Sequence, residues 1–78
     1  MDFLFHSVFN DGQHSKYFNV YKLEGNRFLA ECHHFNRARD CEGDFELTRE
    51  GENWKSTNVK FDDAANYIGE EIERAGKV

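Results

Sequence analysis

Residues 32–41 read CHHFNRARDC, two cysteines bracketing two histidines and two arginines. Three chemistries fit those residue types. Cys32, His34 and Cys41 offer two thiols and an imidazole, part of the ligand set of a tetrahedral zinc centre. Arg37 and Arg39 follow Phe35, and a basic loop tip beside aromatic rings suits single-stranded nucleic acid. Cys32 and Cys41 are also spaced to close a disulfide across one loop.

Each chemistry meets a plainer account. Zinc ligands usually come as close pairs or knuckles, and that spacing is missing here. On an extended strand neighbouring side chains point to opposite faces, so Cys32, His33 and His34 cannot all aim at one ion. His6 or His14 would have to complete the set. The plain reading is a small buried thiol at Cys32, facing the same side as Phe28 and Ala30, with His33 turned away and Cys41 in a loop. A disulfide expects an oxidising compartment, whereas MDFLFHSVFND lacks the basic start of a secretory signal. The expected setting is therefore the cytoplasm, with both thiols reduced.

The nucleic-acid reading has charge against it. Ten basic residues face fifteen acidic ones, for a net charge of −5, and Asp40 follows the two arginines. Phosphate neutralisation supplies most of the affinity of such binders, so an acidic chain starts at a disadvantage. Catalysis has less support still. The chain contains no nucleophile elbow, phosphate-binding glycine loop or His-Glu-x-x-His pair. Glu70, Glu71 and Glu73 read most simply as a solvated helix face. The expectation is a protein that is not an enzyme and carries no cofactor.

The elements that hold these residues follow from periodicity. Phe3 to Phe9 reads as a strand, with Phe3, Phe5, Ser7 and Phe9 on one side. Tyr17–Leu23 and Phe28–Phe35 form a hairpin about a Gly25-Asn26 turn, since glycine tolerates the positive φ of primed turns. That register pairs Leu23 with Phe28 and Tyr21 with Ala30. It gives one face to Tyr17, Tyr21, Phe28 and Ala30, and the other to Phe18, Val20, Leu29, Glu31 and His33. A second hairpin about Glu50-Gly51 sets Leu47 against Trp54 and Arg49 against Glu52.

Past residue 60 the period changes. Phe61, Ala64, Ala65, Ile68, Ile72 and Ala75 recur at helical spacing and make one apolar stripe. Asp62 suits the N-cap, Gly76 the left-handed stop, and Glu70–Arg74 and Glu73–Lys77 are i,i+4 pairs. Gly69 sits on the flank of the stripe, where a close approach to a sheet would explain it.

The sum is one domain over residues 1–78, an α+β fold of about five antiparallel strands with a C-terminal helix on one face. No stretch approaches the ~20 apolar residues that span a bilayer. The function expected is protein–protein interaction, with an unknown partner or a second copy of the chain, through the face bearing Phe18, Val20, Leu29, Glu31 and His33. Single-stranded nucleic acid at Arg37 and Arg39 is the alternative, and a metal at Cys32, His34 and Cys41 the third reading.

Overall fold

The computed structural model describes residues 1–10, 12, 15–33 and 43–78. Within them a five-stranded antiparallel sheet runs in chain order, and a C-terminal helix covers one face. The strands are β1 (Asp2–Asn10), β2 (Ser15–Lys22), β3 (Arg27–Cys32), β4 (Phe45–Glu50) and β5 (Asn53–Ser56). A 3₁₀ turn, Val59–Phe61, leads into helix α1, Asp62–Arg74. This is the α+β architecture that the periodicity predicts.

The first hairpin differs from expectation by one residue. The N–H of Leu23 donates to the carbonyl of Arg27 at 3.0 Å, so the connection is the three residues Glu24, Gly25 and Asn26. Gly25, at φ 72°, supplies the left-handed turn in the middle of that loop. Val20 therefore pairs with Ala30 and Phe18 with Cys32. A one-residue slip turns every side chain of a strand to the other face. Phe18 and Val20, expected on an open face, are 1% and 0% exposed in the core, and Tyr17 and Tyr21 take the opposite side.

The β4–β5 hairpin slips by two residues instead. Its turn is Gly51-Glu52, with Gly51 at φ 64°, so Arg49 pairs with Trp54 and Leu47 with Ser56. Glycine takes the first turn position because a positive φ is needed there. An even slip preserves the faces, and Leu47 and Trp54 are both buried as expected. In β1 the register shifts between Phe3 and Phe5, leaving Leu4 as the extra residue of a bulge. Phe5 and Phe9 pack against the core and Ser7 is buried in the same layer, but the bulge carries Phe3 over to the other face.

Helix α1 buries Ala64, Ala65, Ile68, Gly69 and Ile72 against Phe18, Val20, Phe28, Ala30, Phe45, Leu47 and Trp54. Asp62 is the first helical residue, not the N-cap. Its carboxylate accepts from the backbone N–H of Ser56 at 3.0 Å, while Asn58 caps the 3₁₀ turn by accepting from the N–H of Lys60 at 3.1 Å. The other end closes as the glycine predicts. Gly76, at φ 70°, donates to Glu73 and Lys77 donates to Ile72, the paired bonds of a Schellman stop. No helix among the described residues is long and apolar enough to cross a membrane.

The open sheet face as a candidate binding site

Opposite the helix, the registers of β1, β2 and β3 line side chains up in three rows. Phe3, Tyr21 and Leu29 form one row by direct pairing. His6, Asn19 and Glu31 form the next. Val8 and Tyr17 begin the third, and His33 extends it by donating its N–H to the carbonyl of Tyr17 at 2.8 Å. A polar row thus lies between two rows rich in aromatic and aliphatic groups.

The polar row is bonded end to end. The amide of Asn19 donates to Glu31 Oε1 at 3.2 Å, which turns its oxygen toward His6 at 2.6 Å from Nδ1. An amide oxygen accepts, so His6 is the Nδ1–H tautomer and donates. Tyr21 donates its phenol to the same Glu31 oxygen at 3.3 Å. Partial burial on the sheet, then the negative charge of Glu31 and this hydrogen bond, hold the Tyr21 phenol above its ordinary pKa. The Phe3 ring leans on both His6 and Tyr21, with centroids 5.0 and 5.6 Å away.

This arrangement orients side chains and does not activate one. The Asn19 amide separates the imidazole from the carboxylate, so Glu31 does not polarise the His6 ring as a carboxylate partner would. A shallow depression of ≈ 280 Å³ opens between His6, Val8, Tyr17, Asn19 and His33. Phe3 and Val8 stand about half exposed, at 50% and 46%. Such a surface can cover apolar area and fix orientation by a few polar contacts.

Three residues of the expected face are present on it: Leu29, Glu31 and His33. Phe18 and Val20 are not, because the three-residue loop turns them inward. Missing from the sequence reading were Phe3, His6, Val8, Tyr17, Asn19 and Tyr21. All six follow from the strand period once the bulge and the loop length are known.

Arg37, Arg39, His34 and Cys41 lie outside the described residues. Cys32 takes the core face as expected, but it is half-buried where full burial was expected, and it is disulfide-bonded and not a free thiol. Its N–H donates to Asp44 at 2.7 Å. A disulfide sulfur is not a thiolate ligand, which removes Cys32 in this state from the metal reading. Among the described residues, no group of three or more His, Cys, Asp or Glu side chains could hold a metal ion.

Of the helix carboxylates expected on a solvated face, Glu70 is exposed, but Glu71 and Glu73 are not free. Glu73 pairs with Arg49 at 3.1 Å and accepts from the indole N–H of Trp54 at 3.3 Å, and Glu71 accepts from the buried hydroxyl of Ser7. They tie the helix to the sheet. No protein-family model, curated protein or solved structure matches the chain.

Proposed function

We propose that this is a non-enzymatic interaction domain that binds another protein through the open face of its sheet. One observation carries the reading. Phe3, Val8, Tyr17, Tyr21 and Leu29 flank a hydrogen-bonded His6–Asn19–Glu31 row on the face turned away from the helix. Protein-binding surfaces are enriched in aromatic groups and carry several direct hydrogen bonds besides. A cytoplasmic setting rests on the sequence alone, and the disulfide at Cys32 speaks for an oxidising one.

The aromatic rows also give a second reading, since stacked bases take the same platforms. Glu31 at the centre of the face and the net charge of −5 weigh against it.

The test compares two photo-cross-linking baits in lysate of the native host, the natural chain and a Val8→Lys, Leu29→Lys double variant. A stoichiometric partner lost with the variant supports the proposal. The same partners on both baits reject it. Submicromolar binding of a single-stranded oligonucleotide at about 150 mM salt, abolished by Tyr17→Ala with Tyr21→Ala, would put the second reading in its place.

A further inference from the structure

The two edges of the sheet are finished differently. On β5, the outward N–H of Trp54 donates to Asn66 at 2.9 Å and that of Ser56 to Asp62 at 3.0 Å. Helix side chains cap that edge. On β1, β2 pairs with one side, and among the described residues neither a strand nor a side-chain cap occupies the other. Past the Leu4 bulge, the stretch Phe5–Phe9 also lacks the lysine, proline or acidic group that commonly blunts a free edge.

Helix α1 runs antiparallel to this edge and lines it. Tyr67 packs on Phe9 with ring centroids 5.5 Å apart, and Glu71 takes the hydroxyl of Ser7. Arg74 borders the groove beside Phe5 and His6. Tyr67, Glu71 and Arg74 are one stripe of the helix, spaced by four and three residues. Among the described residues Arg74 makes no ion pair.

We infer that β1 is the seam of a homodimer, in which it pairs antiparallel with β1 of a second copy about a two-fold axis at His6. That axis sets residue 7 against residue 5 of the partner strand. Glu71, above Ser7, then meets the partner's arginine above Phe5, and the reverse contact follows by symmetry. Between Leu4 and Phe9 the edge carries no acid, lysine or arginine, and it is flanked by one acid and one base in self-complementary order. A copy of the same chain therefore fits it without like-charge repulsion at the seam. The inference stands apart from the open face, which the pairing leaves uncovered and joins into one continuous surface.

The experiment is sedimentation of the full chain up to about 1 mM, with three further samples. Arg74→Glu sets acid against acid at both contacts, and Glu71→Arg sets base against base. Each variant alone is expected to dissociate at least about tenfold more readily than the natural chain. An equal mixture of the two restores both opposite-charge contacts, so the dimer should return. Melting temperatures identify any variant that has lost its fold, and Arg74→Ala, which removes the base from an exposed helix position without adding an acid, then serves as the second disruption. A natural chain that stays monomeric at 1 mM overturns the inference. So does a dimer indifferent to all these changes, or a mixture no tighter than its components.

Discussion

The indole of Trp54 lies so close to the backbone of Gly69 that a methyl group built on Gly69 would overlap ring atoms Cγ, Cδ1 and Cδ2. This contact sets how deep the helix sits on the sheet. It also explains why a helix interior tolerates a residue that costs about 1 kcal/mol relative to alanine. Asn66 and Glu73, one turn to either side, hold the same tryptophan by its backbone N–H and its indole N–H.

Gly69→Ala should therefore destabilise the fold although alanine is the better helix former. Overpacking costs typically ~1–3 kcal/mol, against the ~1 kcal/mol gained in propensity. Urea denaturation should show a lower midpoint for the variant. In a Trp54→Leu background the penalty should shrink, because the smaller side chain makes room. A midpoint equal to or above that of the natural chain would mean that the helix does not rest on the ring.

Phe18 and Leu29 test the register of the first hairpin. Phe18→Ala removes a fully buried ring and should cost ~3–5 kcal/mol, while Leu29→Ser, on the open face, should cost well under half of that. With a Gly25-Asn26 turn both residues would share one face, and the two costs would be similar. Denaturation midpoints of the two variants decide between the two.

That hairpin shows what the sequence leaves undetermined. The helix is legible because Ala64, Ala65, Ile68 and Ile72 stand against charged residues on the remaining faces, and one period fits them. Strand β2 offers no such contrast. Tyr17 and Tyr21 on one side are as apolar as Phe18 and Val20 on the other, so alternation cannot say which side faces the core. Loop length decides it, and a glycine can serve in a two-residue or a three-residue connection. The β4–β5 hairpin forgave the same kind of error because its slip was even. The open-face row His6–Asn19–Glu31 depends on the β1–β2 and β2–β3 registers together, so no local motif could announce it.

The Tyr21–Glu31 contact has a pH signature. A phenol whose folded pKa lies above its unfolded value stabilises the fold fully below the unfolded pKa of about 10, and that contribution disappears as pH rises through the folded value. Ultraviolet titration should show Tyr21 ionising later than a free tyrosine. Glu31→Gln removes the negative charge and should bring that ionisation down toward the ordinary range. An unchanged titration in Glu31→Gln would show that the carboxylate is not what holds the proton.

Cys32 supplies the last test, because its bond bears on where the protein works. Protein denatured without reductant should show Cys32 unreactive toward an alkylating reagent, and peptide mapping should recover it as a disulfide. Reduction removes a constraint on the unfolded chain, which for a native disulfide is typically worth roughly 2–4 kcal/mol. The melting temperature should therefore fall with reductant and recover on reoxidation. Quantitative labelling of Cys32 in protein prepared without reductant would return it to the reduced state expected in the sequence analysis. It would also reopen the zinc reading, since a free thiolate at Cys32 regains its capacity to bind metal.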